Sequence, residues 1–268
     1  MLARTISTFI LAPAVVALVI FASPWFYLLV LGLVGSAALY EYFRLARAMG
    51  VRPQPWVGYV AFWTLFAGLG IDGLAAAAWL PGIIMAAFLA AMLRRDSMRE
   101  RVQGLMSTLL GAFYLSVLLY PIFPLRFAFG ERLGMRWTLV LLAVIWAGDT
   151  TAMVVGKTLG RTAFAPTLSP KKTNEGAIAG LLAGILAGAL LRQLAFPELP
   201  MRHVLFASLL IGIFGQLGDL AESLLKRAAE VKDSSQLIPG HGGVLDRIDS
   251  LLFAFPALYF YLLRLYSQ

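Results

Sequence analysis

The chain has 268 residues, of which 60% are hydrophobic and only 13% are charged. Soluble domains carry about 25% charged residues, so this composition excludes a soluble globular protein. The absence of cysteine excludes disulfides, thiolate nucleophiles and cysteine-ligated zinc. The formal net charge of +8 favours basic residues flanking membrane spans, and no nucleic-acid partner is expected.

Apolar runs along the chain predict an all-α, polytopic integral membrane protein with about nine transmembrane helices. The nine runs cover residues 6–22, 25–40, 56–71, 74–93, 105–123, 137–159, 177–191, 203–225 and 251–263. Several runs are shorter than the roughly 20 residues that a bilayer requires, so the predicted number of spans is accurate to about one. No linker divides the chain, which indicates a single membrane domain, 1–268. Residues 1–135 would form N-terminal spans without a motif, and residues 136–268 would form the catalytic region.

Basic residues are distributed unequally between the two sides of the membrane. If the nine runs alternate in direction, sixteen Lys and Arg residues fall on one side and six on the other. Cytoplasmic loops are enriched in these residues, so the richer side is predicted to be cytoplasmic. The N-terminus and the two polar loops, after the sixth and eighth runs, would then face the cytoplasm.

The seventh run contains a regular stripe of glycines. They are spaced four residues apart, at Gly176, Gly180, Gly184 and Gly188. Small residues in this spacing allow close helix packing within membranes. The partner helix could belong to the same chain or to another copy, and the sequence leaves both open.

Three carboxylates lie inside or at the edge of apolar runs: Asp149, Asp219 and Glu222. An ionised carboxylate at membrane depth costs at least about 2.5–3.5 kcal/mol, so such a group usually lines a polar cavity or binds a cation. For Asp149 two interpretations are open. It is either a structural carboxylate capped by the threonines that follow it or part of the wall of a substrate cavity.

Two sets of polar residues have helical spacing. Four residues follow the pattern i, i+3, i+4 and i+7, which places them on one helix face: Asp219, Glu222, Ser223 and Lys226. Asp246 and Asp249 are also three residues apart. Carboxylate pairs from neighbouring spans favour Mg²⁺, which binds through one or two carboxylates together with substrate phosphates. The alternative is a ladder of ion pairs, Glu222 with Lys226 and Asp246 with Arg247.

Two further segments are candidates for phosphate binding. Ser169 is predicted as a helix N-cap with Pro170 at the first helical position, so that Lys171 and Lys172 lie beside an anion-binding helix N-terminus. These lysines could instead be ordinary topology signals. The glycine-rich turn at residues 239–243 would let backbone N–H groups approach a phosphate, with His241 as a binding residue or only a turn residue.

The segment from Ser223 to Asp249 resembles the signature of phosphatidate cytidylyltransferases, the CDP-diacylglycerol synthases. Its pattern is Ser-x-x-Lys-Arg, Lys-Asp-x-Ser, Pro-x-His-Gly-Gly and Asp-Arg-x-Asp. The segments 169–173 and 218–223 also resemble that family, although Asn174 stands where an aromatic or aliphatic residue is more usual. The similar segments lie within residues 146–250, and the first 130 residues resemble the family only in being apolar and multi-spanning.

The resemblance implies transfer of the cytidylyl group of CTP to phosphatidic acid, which forms CDP-diacylglycerol and pyrophosphate for phospholipid biosynthesis. It also implies a requirement for Mg²⁺, with a second cation of unknown identity and a homodimer as further expectations. The expected location is the inner membrane of a bacterium. The partners would be CTP, phosphatidic acid and the lipid bilayer.

On this reading the residues divide into three roles. The expected metal ligands are Asp219, Asp246 and Asp249, supported by Glu222. The expected catalytic residues are Asp219, Asp246, Asp249 and Lys226. The expected substrate-binding residues are Lys171, Lys172, Ser223, Arg227, Lys232, His241, Arg247 and Asp149.

Two other functions are considered. One is another CTP-dependent membrane transferase or kinase that acts on a lipid or polyprenol. The other is a cation transporter with Asp149, Asp219 and Glu222 as a relay, although the charges cluster at one membrane face and do not follow a path. Formation of labelled pyrophosphate, and ion flux into liposomes, distinguish these functions from the first.

The distribution of basic residues predicts the topology. Reporters placed after Arg101 and after Gln236 should both read cytoplasmic, and one after Gln268 should read external. A cytoplasmic C-terminus would contradict this prediction and indicate an even number of spans.

Overall fold

The computed structural model describes residues 2–71, 73–237 and 242–266. Within these ranges the chain is mainly helical, which confirms the predicted all-α class. The helices are α1 (Leu2–Phe21), α2 (Pro24–Ala48), α3 (Pro55–Ile71), α4 (Gly73–Met92), α5 (Met98–Leu119), α6 (Ile122–Phe127), α7 (Glu131–Thr158), α8 (Asn174–Ala195), α9 (Met201–Ala228) and α10 (Leu245–Tyr266). The strands β1 (Ala163–Ala165) and β2 (Ser169–Thr173) form an antiparallel hairpin.

Six segments of the described chain are long and apolar enough to cross a membrane. They are Pro24–Ala48, Met98–Phe127, Glu131–Thr158, Asn174–Ala195, Met201–Ala228 and Leu245–Tyr266. Shorter apolar helices lie at Leu11–Phe21 and Ala78–Met92. These helices confirm a polytopic integral membrane protein, whereas the number of nine spans stays a prediction.

The chain divides into two compact units, each assembled from separate stretches. The first unit contains Met1–Ala14, Ala22–Phe123 and Leu225–Arg247. The second contains Val15–Phe21, Pro124–Leu224 and Ile248–Gln268. These units do not follow the predicted division near residue 135, which stays a prediction. The segment after α9 belongs with the N-terminal helices because it is hydrogen-bonded to α2, as described below.

In the first unit, helices α2 to α5 pack on one another. Phe62 and Phe66 of α3 stack with their ring centroids 5.5 Å apart, and both are buried. The connection between α4 and α5 is held by Asp96, which accepts hydrogen bonds from Arg94 at 2.5 Å and Arg52 at 3.0 Å. These two bonds hold the pKa of Asp96 below its usual value.

In the second unit, the glycine stripe of α8 packs against α7. A Cβ atom added at Gly180 would lie 2.7 Å from the carbonyl oxygen of Gly148 and 2.8 Å from the Cβ atom of Ala152. Gly184 meets Val144 in the same way. The stripe therefore packs within the chain, which decides between the two alternatives that the sequence left open.

The predicted N-cap at Ser169 is wrong. Residues Ser169–Thr173 form strand β2, and α8 is capped by Thr173, whose side chain accepts a hydrogen bond from the Gly176 N–H at 3.1 Å. Thr173 has the extended backbone that an N-cap requires. The hairpin partner β1 keeps the preceding residues extended, so Pro170 lies in a strand and not in the first helical turn.

The close contact between α7 and α8 predicts opposite effects for two glycine substitutions. Gly180→Ala should lower the melting temperature in detergent, because the new methyl group has no room beside Gly148. Gly82→Ala in α4 should be neutral or stabilising, since a Cβ atom there meets nothing within 4 Å and alanine favours helix by up to about 1 kcal/mol. Equal melting temperatures for the two variants would contradict the packing described.

Candidate active site

Helix α9 carries the first group of predicted site residues. Asp219, Glu222, Ser223 and Lys226 all lie within the continuous helix Met201–Ala228, which confirms the predicted helical spacing. Glu222 and Ser223 are buried, and Lys226 is only 9% exposed. Apolar residues surround these groups in the sequence, so each charged side chain needs a polar partner.

In the second unit, Asp219 forms an ion pair with Lys172. Lys172 Nζ donates to the Oδ2 atom of Asp219, and both side chains are about 30% exposed. The pair connects the end of strand β2 to helix α9 over a separation of 47 residues. The structure therefore brings together two predicted site residues from different polar segments.

A cavity of about 340 Å³ opens beside this pair. Its charged lining comes from residues of α7, β2 and α9: Asp149, Lys157, Lys171, Lys172 and Asp219. Ala152, Met153 and Phe164 form apolar parts of the wall. Asp149 thus lies at a cavity wall, as one of its two interpretations predicted, and the cavity can take a ligand with both an anionic and an apolar part.

Asp249 belongs to the same unit as Asp219. A Cβ atom at Gly218 would overlap the carbonyl oxygen of Asp249, so the backbones of α9 and α10 are in direct contact at this point. This contact requires glycine at position 218. Asp219 and Asp249 therefore lie on helix segments that are in contact with each other. The expected pairing of the two carboxylates stays a prediction.

In the first unit, Lys226 is paired with Asp246. Lys226 Nζ lies 2.7 Å from Asp246 Oδ1. Asp246 Oδ2 accepts the N–H of Ser234 at 2.9 Å, the N–H of Gly243 at 2.8 Å and the Ser234 hydroxyl at 2.8 Å. Both oxygens of this carboxylate are therefore bonded to groups of the protein.

Glu41 of α2 also reaches this part of the first unit, and sequence reasoning missed it. The side chain is fully buried and bonds to the segment between α9 and α10. The available signal was the same as for Asp149, since Glu41 is a carboxylate that directly follows an apolar run. It was overlooked because its partners lie about 200 residues away in the chain.

Three of the remaining predicted residues lie at the surface. Arg227, Lys232 and Arg247 are exposed, and Arg227 donates to the Val231 carbonyl oxygen at 3.4 Å. Exposed guanidinium and ammonium groups attract polyanions. His241 lies outside the described residues.

The carboxylates of the candidate site are of the kind that binds Mg²⁺. Among the described residues, no three His, Asp or Glu side chains form a group that could hold a metal ion by themselves. Mg²⁺ usually binds through one or two carboxylates and completes its shell with water and substrate phosphates. A pair of carboxylates such as Asp219 and Asp249 is therefore a sufficient protein contribution.

A family model decides the classification. The model of the cytidylyltransferase family matches residues 2–265, which is almost the whole chain. The chain belongs to the cytidylyltransferase family. The match includes the N-terminal helices, so the family pattern extends well beyond the segments in which the sequence alone showed a resemblance. A cytidylyltransferase is a nucleotidyltransferase, which agrees with the predicted class of enzyme.

Individual members of the cytidylyltransferase family support this assignment. The phosphatidate cytidylyltransferase of Bacillus subtilis is 32% identical over 238 residues, which cover 87% of each chain. The phosphatidate cytidylyltransferase of Synechocystis is 33% identical over 266 residues, covering 90% of this chain and 89% of the relative. That of Staphylococcus aureus is 39% identical over 127 residues, about half of each chain.

We expect Asp219→Asn to reduce cytidylyltransferase activity at least a hundredfold, equivalent to about 3 kcal/mol of transition-state stabilisation. The substitution keeps the size of the side chain but removes the charge that holds Lys172. Asp96→Asn makes the same chemical change in the α4–α5 connection and serves as the control, with activity close to wild type. The measurement is the initial rate in detergent micelles. Near-normal turnover of Asp219→Asn at saturating Mg²⁺ would remove Asp219 from the metal ligands.

Proposed function

We propose that this protein transfers the cytidylyl group of CTP to phosphatidic acid and releases CDP-diacylglycerol and pyrophosphate. The observation that carries the proposal is the pairing of lysines with carboxylates in a membrane-embedded cytidylyltransferase. Lys172 pairs with Asp219 in the second unit, and Lys226 pairs with Asp246 in the first. Lys172 is about 30% exposed and can bind a phosphate once it replaces the carboxylate, whereas the buried Lys226 holds Asp246 in place.

The reaction needs charge stabilisation more than proton transfer. A phosphate oxygen of phosphatidic acid is already anionic near neutral pH and attacks the α-phosphorus of CTP directly. The new bond joins that oxygen to the α-phosphorus, and the bond from the α-phosphorus to the bridging oxygen of the β-phosphate breaks. The electron pair leaves with pyrophosphate, and no general base is required. The main barrier is repulsion between two polyanions, which basic side chains reduce.

The cavity of the second unit is the proposed location of one substrate phosphate. Lys157, Lys171 and Lys172 supply positive charge at its wall, while Met153 and Phe164 supply apolar surface. A lipid phosphate with attached acyl chains and a nucleotide phosphate with an attached base both have this combination of properties. The kinetic experiment below distinguishes the two.

Mg²⁺ is proposed to be held by Asp219 and Asp249, with Glu222 in support. When bound, it would neutralise negative charge on the CTP phosphates and thereby assist departure of pyrophosphate. Asp246 as a further ligand stays a prediction, because its oxygens are bonded to Lys226, Ser234 and Gly243. The second cation and the homodimer also stay predictions, which metal analysis and the mass of the detergent-solubilised protein would test.

The proposed location is the cytoplasmic membrane of a bacterium, with the N-terminus and the polar loops in the cytoplasm. The excess of Lys and Arg on one side supports this orientation, and CTP is available on that side. Five further residues are proposed to bind substrate from the cytoplasmic side: Ser223, Arg227, Lys232, Arg247 and His241.

Position-specific labelling of CTP tests the proposed reaction. Purified protein in micelles is mixed with Mg²⁺, phosphatidic acid and CTP labelled at either the α- or the γ-phosphate. We expect the α-label to enter the lipid and the γ-label to enter pyrophosphate. A lipid or polyprenol kinase would instead transfer the γ-label to its acceptor, and a cation transporter would transfer neither. Either of these results would overturn the proposal.

The double variant Lys171→Ala, Lys172→Ala tests whether the hairpin binds a phosphate. We expect slower turnover, because the cavity loses two positive charges and Asp219 loses its partner. The double Arg variant should recover part of the activity and the double Gln variant should not, since only Arg keeps the charge. In the double Ala variant, fourteen Lys and Arg residues would remain on the predicted cytoplasmic side, against six on the other side. The orientation of the protein in the membrane should therefore be unchanged.

Initial rates measured against each substrate separately identify the phosphate that the hairpin contacts. A rise confined to the apparent KM for CTP would place the hairpin at the nucleotide, whereas a rise confined to that for phosphatidic acid would place it at the lipid. Wild-type kinetics in the double Ala variant would show that Lys171 and Lys172 act only as topology signals.

A further inference from the structure

We propose that Glu41 is a positioning residue for the transfer reaction. Its carboxylate would hold the segment that connects α9 to α10, so that Asp246 and Lys226 keep the arrangement that the reaction needs. This inference rests on the proposed function. It assigns a role in the reaction to a residue of the N-terminal helices, which contain no signature residue.

The four hydrogen bonds to Glu41 occupy both oxygens of its carboxylate. Oε1 accepts the Ser235 hydroxyl at 2.5 Å and the Val244 N–H at 2.9 Å. Oε2 accepts the Ser234 hydroxyl at 3.0 Å and the Leu245 N–H at 2.7 Å. Each oxygen is thus approached by one serine hydroxyl and one backbone N–H. One side chain of α2 therefore bonds to two separate stretches of chain, residues 234–235 and 244–245.

The contact with Leu245 also anchors the start of α10. Leu245 is the first residue of this helix, and the first N–H groups of a helix have no partner within it. An anion at a helix N-terminus satisfies these donors and interacts favourably with the helix dipole. Asp246 is the next residue, so the bond to the Leu245 N–H helps to fix the backbone that carries the Asp246 side chain.

Ser234 links Glu41 to the candidate site. Its hydroxyl lies 3.0 Å from Glu41 Oε2 and 2.8 Å from Asp246 Oδ2. Asp246 Oδ1 in turn lies 2.7 Å from Lys226 Nζ. The hydroxyl has one proton, which lies between the two carboxylates, and the Ser234 N–H adds a bond to Asp246 Oδ2 at 2.9 Å. Ser234 therefore connects Glu41, through Asp246, to Lys226, whereas Ser235 contacts Glu41 only.

The packing around Gly243 supports the same conclusion. A Cβ atom at this position would overlap the Ser234 hydroxyl and lie 2.5 Å from both Glu41 oxygens. The absence of a side chain at Gly243 is what allows the buried carboxylate to approach the backbone of the segment. Glycine at position 243 therefore has a steric role next to Glu41, in addition to donating its N–H to Asp246.

The test compares Glu41→Gln with Glu100→Gln. Glutamine keeps the size of Glu41 but has one oxygen, so its NH₂ group must face either the Val244 or the Leu245 N–H. Glu100 takes part in the capping box of α5, where glutamine serves equally well, so that variant is the matched control. We expect kcat of Glu41→Gln to fall at least tenfold with the KM for CTP changed less than threefold, and Glu100→Gln to match wild type.

Hydrogen exchange supplies a readout that does not depend on activity. Peptides covering residues 242–248 should exchange faster in Glu41→Gln, while those covering α5 should be unchanged. If kcat and exchange in this segment both stay at wild-type values, the proposal is wrong. A lower melting temperature with wild-type kcat would also overturn it, since that result describes a purely structural residue.

A second pair of variants covers the case in which Glu41→Gln does not fold. Ser234→Ala removes the hydroxyl that contacts both Glu41 and Asp246 but keeps both backbone bonds to Glu41, whereas Ser235→Ala removes a hydroxyl that does not contact Asp246. We expect kcat to be at least fivefold lower in Ser234→Ala than in Ser235→Ala. Equal values would contradict the proposal. If the wild type forms no CDP-diacylglycerol, the proposed function fails, whereas the exchange comparison still tests the contacts of Glu41.

Discussion

A lysine ammonium buried in an apolar chain must be matched by a negative charge, and this constraint explains most of the polar architecture. Lys226 is 9% exposed and lies near the end of a membrane-spanning helix, where an unpaired charge is very unfavourable. Asp246 supplies the partner charge, and removing one partner from a buried pair typically costs about 3–5 kcal/mol. Keeping Asp246 in place then requires the donors of Ser234 and Gly243, which in turn pack against Glu41.

The same principle operates in the second unit with a more open geometry. Lys172 and Asp219 are each about 30% exposed and lie at the wall of a cavity. An accessible pair can exchange partners at lower cost than a buried one, because water stabilises the separated charges. A phosphate that enters the cavity could take the place of the carboxylate at Lys172 and leave Asp219 to a cation. Lys172 is therefore a lysine of the second unit that a substrate phosphate can reach.

The sequence predicted those features that depend on local periodicity. The helical class, the shared face of Asp219, Glu222, Ser223 and Lys226, and the close packing of the Gly180 stripe all follow from residue spacing within one element. The predictions that failed depended on distant contacts. Ser169 looked like an N-cap, but pairing of Ser169–Thr173 with Ala163–Ala165 made it a strand residue. Glu41 was not singled out at all, because nothing near it in sequence shows the four donors that approach from residues 234–245.

The central claim is that Lys172 exchanges its carboxylate partner for a substrate phosphate. Two structures, one determined with CTP and Mg²⁺ bound and one with phosphatidic acid bound, at a resolution that shows side chains, are the most direct test. We predict that in at least one of them Lys172 Nζ lies within about 3 Å of a phosphate oxygen, the usual distance of a charge-assisted hydrogen bond. Both substrates bound with Lys172 still paired to Asp219 would contradict the claim.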